Sequence, residues 1–388
     1  MTDSLRIALI GTRGIPAAYG GFETAVEEVG RRLVARGHRV VVYGRDAGET
    51  GDYHLGMRRV TLPSVKQRAL ETLSHTALST VHTVTKAMPD VAFVFNAANS
   101  PFVPLLRMRG IPTALHMDGL EWRRAKWGPR GRAYYRWAES FGVRNADALI
   151  ADAPGIADYY DHQFAVPTEL IRYGAPILRE SPESLLDPLG LTANGFHLVV
   201  ARFEPENHVR EIVEGYVSSS ATKPLVVVGS APYAAEYTNA ISDAAARDDR
   251  VRLLGGVYDQ DRLDALYFHA FSYLHGHSVG GTNPSLLRAM GAGTAVTAFD
   301  VGFNRDVLDG RGWYFSDPAS VASAVEASEN DPDNTTTLGE SLRVHAESAF
   351  SWDDVTNAYE ALARDLAEGA SIHARARHAR RRSSEWNG

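Results

Sequence analysis

FSYLHGHSVGGTNPSLLRAMGAGTAVTAF, residues 271–299, holds one full repeat of the pattern from which the chain is built. FSYLHG at 271–276 and TAVTAF at 294–299 are short apolar runs of strand composition. Between them Asn283 supplies an N-cap side chain and Pro284 a preset first helical residue, so the spacing predicts a helix over 283–292. Two strands joined by such a helix lie parallel in one sheet. The helix start carries a second message. Its first turn holds no acid, which leaves the positive end of the dipole unanswered, and the bare hinge Gly280-Gly281 lets a ligand reach the backbone. An ordinary capped core helix and an anion site both fit this stretch taken alone.

The same alternation recurs outward. LRIALI (5–10), RVVVY (39–43), RRVTL (58–62), VAFVFN (91–96), TALHMD (113–118) and ALIAD (148–152) read as strands, with helix patterns after Gly20-Gly21 and over 66–87. From Tyr173 to Phe196 the chain turns rich in Pro, Gly, Ser and acids, as an interdomain linker does. HLVVAR, PLVVVG, VRLLGG and GWYF then resume the strands, with helices over 208–220 and 260–270. The class is α/β, with two doubly wound units, 1–175 and 176–350, whose ligand loops lie at the carboxyl ends of the strands. SWDDVTNAYEALARDLAEG predicts an amphipathic helix over 351–368, and 371–388, with Arg375, Arg377, Arg380, Arg381 and Arg382, reads as a disordered basic tail.

A length of 388 residues suits two domains, and 44% hydrophobic with 22% charged residues is a globular composition. The net charge of -7 argues against a general nucleic-acid binder. With no cysteine there is no disulfide, thiolate zinc site or cysteine nucleophile. MTDSLRIALIG enters a strand pattern directly, and no stretch has the length of a spanning helix, so the expected location is cytoplasmic, with attachment at a membrane surface as the variant.

Two groups of loops carry candidate chemistry. GTRGIPAAYGGFET follows the first strand with glycines at 11, 14, 20 and 21, which let backbone amides approach a phosphate or a sugar. G-x-G-x-x-G is absent and the second strand ends in Arg45-Asp46, which speaks against a nicotinamide enzyme. In ARFEPENH, Arg202 stands at a strand end, either clasping a diphosphate or pairing with Glu204 or Glu206. Arg202, Arg288 and two helix starts are expected on one side of their sheet. In HMDGLEW, His116 and Asp118 are candidates to touch the transferred sugar, or Asp118 to act as a general base; a packed histidine and a turn cap fit them equally well. Glu121 has Arg124 as an ordinary partner within reach.

GTRGIP-x-x-YGGFET, HMDGLEWRRAKW, ARFEPENH, LLGGVYD and HGHSVGGTNPSLLRAM together resemble the rhamnosyltransferase-like branch of glycosyltransferase family 4, from Leu5 to about Leu366. The resemblance implies the GT-B architecture: two Rossmann-like domains facing across a cleft, the first for the acceptor, the second for a nucleotide sugar, and a last helix crossing back to the first. It implies metal-independent transfer with retention, with no cofactor beyond the nucleoside-diphosphate sugar, to a polyprenyl-diphosphate-linked or saccharide acceptor in cell-surface polysaccharide synthesis. Rhamnose from a dTDP-sugar is the specific expectation. Catalytic residues would be Arg202, Asp118 and His116. Substrate would meet Gly20, Gly21, Phe22, Glu23, Glu121, Asn207, Val257, Gly280, Gly281, Thr282, Asn283 and Arg288. Two departures stand out. Asn207 replaces a basic residue, and Gly280 and Arg288 replace the two glutamates of Glu-x7-Glu, so Arg288 is expected to supply diphosphate charge that Asn207 withholds. A sugar-nucleotide epimerase and a non-catalytic nucleotide-sugar binder remain alternatives on the same fold.

Residues 121–144 carry seven basic side chains against Glu121 and Glu139, interleaved with Trp122, Trp127, Tyr134, Tyr135 and Trp137. An anionic membrane surface over 122–144 and a surface helix with its apolar face packed inward are the two readings.

Overall fold

The computed structural model describes residues 4–17, 21–45, 51–67, 70–117, 119–124, 127–231 and 234–373. The chain divides into two compact units. The first comprises Met1–Arg123, Trp127–Arg172 and Trp352–Gly388; the second is Tyr173–Ser351 with Arg124–Lys126.

In the first unit the strands are β1 (Arg6–Ile10), β2 (Arg39–Gly44), β3 (Tyr53–His54), β4 (Met57–Thr61), β5 (Val91–Phe95), β6 (Thr113–His116), β7 (Ala148–Ala151) and β8 (Glu169–Leu170). They form one sheet in the order β3-β4-β2-β1-β5-β6-β7-β8, parallel except for the β3–β4 hairpin. Its helices are α1 (Gly21–Ala35), α2 (Glu71–His82), α3 (Val103–Met108), α4 (Pro129–Asn145) and α5 (Pro154–Phe164). Every residue of β5 is buried, as a strand covered on both faces must be.

The second unit carries β9 (His197–Val200), α6 (Val209–Val217), β10 (Leu225–Val228), α7 (Ala235–Ala245), β11 (Val251–Gly255), α8 (Gln260–His269), β12 (Ser272–His275), α9 (Pro284–Ala292), β13 (Ala295–Phe299), α10 (Gly302–Leu308), β14 (Trp313–Phe315), α11 (Pro318–Asn330) and α12 (Pro332–Ala349). Its sheet runs β11-β10-β9-β12-β13-β14, with every pairing parallel. The strand order reverses between β9 and β12, and between β1 and β5 in the first unit, which marks the crevice in each sheet where a ligand is received.

The last helix, α13 (Trp352–Ala367), belongs to the first unit. Val355, Tyr359, Leu362, Ala363 and Leu366 recur at helical spacing and are buried, while Asp353 pairs with Arg32 of α1 and Glu360 with Arg36 just beyond its end.

Three expectations change. The helix expected over 66–87 is regular only over α2 and ends in a π turn at Thr83–Ala87, where Thr83 Oγ1 donates back to the Ser79 carbonyl. The 173–196 segment is no free linker: Leu186 is fully buried, and the Ala175 and Leu178 amides donate to the Phe350 and Gly291 carbonyls within the second unit. The tail does not begin at 371, because Ile372 is buried in the first core and donates its amide to Asp147 O. Residues 374–388, with the tail arginines, lie outside the described residues.

Candidate active site

The crevice of the second sheet is built by two loops, one after β9 and one after β12, and hydrogen bonds sew them together. Asn207 donates from Nδ2 to the Arg202 carbonyl (2.8 Å), so its Oδ1 is the atom that meets His277 Nδ1 at 2.7 Å. His277 must then carry its proton on Nδ1, leaving a lone pair on Nε2. Burial pushes its pKa well below the ordinary value, so the ring is neutral. Ser278 donates from both its amide (2.9 Å) and its hydroxyl (3.0 Å) to the Glu206 carbonyl, and accepts from His208 Nε2 (3.0 Å). Two glycines make this seam possible. A Cβ on Gly276 would stand 2.0 Å from Asn207 O, and Gly280 has φ +128° with its Cβ direction 3.3 Å from His277 Nε2.

Helix α9 starts from this seam. Asn283 Oδ1 accepts from the Ser285 amide (2.9 Å) and hydroxyl (2.7 Å), Tyr273 steadies Ser285, and no acid stands in the first turn. Gly281 and Thr282 are buried beside the cap, and Val257 is half-buried in the turn between β11 and α8.

The charged residues sort differently from the sequence expectation. Arg202 is a third exposed and lies 3.4 Å from buried Glu204, so it reaches solvent with its charge only partly answered. Arg288 is engaged by α8. Its Nη1 lies 2.8 Å from Asp264 Oδ1 and donates to Gln260 Oε1 at 2.9 Å, both on α8, so its guanidinium joins the two helices. Asn207 is likewise a bridge between loops. Sequence reasoning saw Glu206 only as a partner for Arg202, but its side chain is buried with both carboxylate oxygens lacking a hydrogen-bond partner among the described residues. The signal available was an acid inside a loop already marked by Arg202, two residues past its nearer partner.

In the first unit, the described part of the glycine loop after β1 is tied to α1. Two of its amides are taken by α1 carboxylates: Arg13 N donates to Glu23 Oε1 (2.9 Å) and Ala17 N to Glu27 Oε2 (2.8 Å). Glu23 also answers the helix dipole that α9 leaves open. Phe22 and Phe95 hold His116 between them, with ring centroids 5.0 Å and 5.6 Å away, and burial pushes its pKa down to about 3. Buried Glu121 accepts from Trp127 Nε1 at 3.2 Å. Asp118 and Gly20 lie outside the described residues, while Gly21, Phe22 and Glu23 form the first turn of α1. Among the described residues, no group of three or more His, Asp or Glu stands together as a metal cradle.

The model for the Glycosyl transferase 4-like domain matches residues 20–174, and that for Glycosyl transferases group 1 matches 197–331. No curated protein matches the chain by sequence. Among solved structures, sucrose-phosphate synthase from Thermosynechococcus elongatus is similar over 93% of this chain and 99% of its own, at 21% identity and a TM-score of 0.79. Anabaena HepE in complex with UDP-glucose aligns over 93% and 100%, at 16% identity and 0.76. An E. coli trehalose-6-phosphate protein bound with UDP-2-fluoro glucose aligns over 93% and 99%, at 12% identity and 0.67. With one glycosyltransferase domain matched in each of its two Rossmann-like units and a last helix returned to the first, the chain belongs to the GT-B-fold glycosyltransferases.

Proposed function

We propose that the chain moves a sugar, rhamnose being the specific expectation, from a nucleoside-diphosphate sugar to a saccharide or lipid-linked acceptor with retention, in cell-surface polysaccharide synthesis. The observation that carries the donor half is the pairing, on one short loop, of a reachable guanidinium with a buried carboxylate whose oxygens both lack a hydrogen-bond partner among the described residues. A nucleotide sugar needs both. Arg202 and the acid-free start of α9 offer positive potential to the diphosphate, and the Glu206 carboxylate offers acceptors to hydroxyls. As the sugar–phosphate bond breaks, charge grows on the departing phosphate, and Arg202 stabilises it there. His277, neutral and presenting Nε2 beside Gly280, is a further hydroxyl acceptor. On the acceptor side the reading assigns His116, Asp118 and the start of α1. HepE, a structural neighbour, was solved with UDP-glucose, which supports a nucleotide-sugar donor for this chain too.

A panel of UDP-, dTDP- and GDP-sugars added to the purified protein tests the reading by thermal shift. A true donor at about a hundredfold excess over Kd adds roughly 2.7 kcal/mol of stability. If no member raises the melting temperature and none is turned over to free nucleoside diphosphate, the reading fails. Isomerised donor formed without acceptor would instead identify an epimerase.

A further inference from the structure

Helix α4 buries Tyr135, Ala138, Glu139, Gly142 and Val143 and turns the rest of its surface outward. That outward face is basic, with Arg130, Arg132, Arg136 and Arg144 all exposed, and the helix's only acid, Glu139, is on the buried side. No carboxylate forms an ion pair with Arg130, Arg132 or Arg144 among the described residues. Trp137 lies among these arginines with 46% of its surface open to solvent, far more than folding requires of so large an apolar ring. It is also rigid. Tyr134 and Phe141 flank it at 5.7 Å and 5.1 Å, and Tyr134 is tied by its hydroxyl to Ala98 O at 2.8 Å. A fixed, half-exposed indole framed by unpaired guanidinium groups, on a chain of net charge -7, is a local inversion of the molecule's electrostatics.

The geometry points to a docking face for an anionic lipid bilayer: the arginines meet lipid phosphates while Trp137 enters the headgroup layer. Nucleic acid fits less well, because Trp137 leans on its neighbours and leaves no pair of open rings between which a base would stack. The place of the face in the fold gives it a purpose. Helix α4 starts at Pro129, beyond the loop that follows the carboxyl end of β6 at His116, and Ser100, in the turn after β5, donates to Ala138 O at 2.8 Å. Arg130 and Arg132 therefore stand on the carboxyl edge of the first sheet, where His116 lies. A bilayer held there presents a lipid-linked acceptor at that edge. This deepens the transferase reading and rests on it for the acceptor, though the docking itself does not.

Flotation of the full chain with phosphatidylcholine vesicles, with and without phosphatidylglycerol, tests the docking. The protein should float only with the anionic lipid. The triple variant Arg130→Ser/Arg132→Ser/Arg144→Ser should lose at least about tenfold in bound fraction, since each arginine near the surface contributes about 1 kcal/mol. Trp137→Ala should float more weakly and lose the blue shift in fluorescence that the vesicles induce. Unchanged circular dichroism and melting temperature show that these variants fold. Wild-type protein left in solution, a triple variant that floats equally, or retention of unstructured RNA in place of vesicles would each overturn the docking. None of these readouts uses a nucleotide sugar, so their failure leaves the outcome of the donor assay untouched, and the reverse holds too.

Discussion

An arginine's role is set by the groups its guanidinium meets, and at residue scale that is where sequence and structure part. Arg288 was legible as a cation behind an acid-free helix start, but its partner Asp264 lies one helix earlier, and only the packing of α8 on α9 brings the two together. Arg288→Glu should therefore cost about 1–2 kcal/mol, by setting like charges on a half-buried pair. The swap Arg288→Glu/Asp264→Lys should recover most of the melting temperature with the donor-induced shift unchanged. A swap that folds well but no longer answers to donor would return Arg288 to the diphosphate. Arg202 is the opposite case, since pairing with Glu204 leaves it a third exposed. Arg202→Ala should lower kcat by about a hundredfold or more, as loss of one charge-stabilising donor does in other enzymes. Glu206 was visible in the sequence only as a spare partner for Arg202. Because its buried carboxylate has no hydrogen bond, Glu206→Gln should raise unliganded stability by about 1 kcal/mol while weakening donor binding about tenfold or more. Stability and affinity moving the same way would contradict a ligand-receiving carboxylate.

At the scale of elements, the strands were readable where burial is complete. β5, β7 and β10 are continuous apolar runs because both faces are covered, and such runs stand out in a sequence. β3 and β8 are two residues each and have no period to detect, while α12 opens on Pro-Asp-Asn-Thr-Thr-Thr, where low helix propensity hides a helix held by packing. A surface helix was one of two readings for the stretch that holds α4, yet the state of Glu139 follows from tertiary burial alone. Burial pushes its carboxyl pKa up to about 7, against opposing help from Tyr159 and the nearby arginines. The folded state thus keeps a proton that the unfolded chain releases near the ordinary value of 4.5, and stability falls as pH rises between the two. By about pH 8 the loss from this group is on the order of 3 kcal/mol. Melting temperatures at about pH 5 and about pH 8 should show the Glu139→Gln variant gaining on wild type only at the higher pH. An equal gain at both would mean that the carboxyl titrates normally.

On the scale of the whole molecule, the second unit is an insertion: the chain leaves the first unit after Arg172 and returns at Trp352 to finish it. The alternation of strands and helices announced two doubly wound units, but only the resemblance suggested where the last helix goes, because an amphipathic helix does not specify the face that receives it. In the structure, Tyr359 of α13 sets its ring 5.1 Å from Phe93 on β5, and Trp352, Leu362 and Leu366 are buried with it. The first core is therefore incomplete until the end of the chain is in place, whereas the second is closed by residues internal to 173–351. Tyr359→Ala should cost the first unit about 3–5 kcal/mol, and Phe196→Ala, which empties a fully buried position of the second, should cost that unit a similar amount. Scanning calorimetry distinguishes the two. Each substitution should move a different component of the unfolding profile, and a single transition that shifts identically for both would show that the units melt as one.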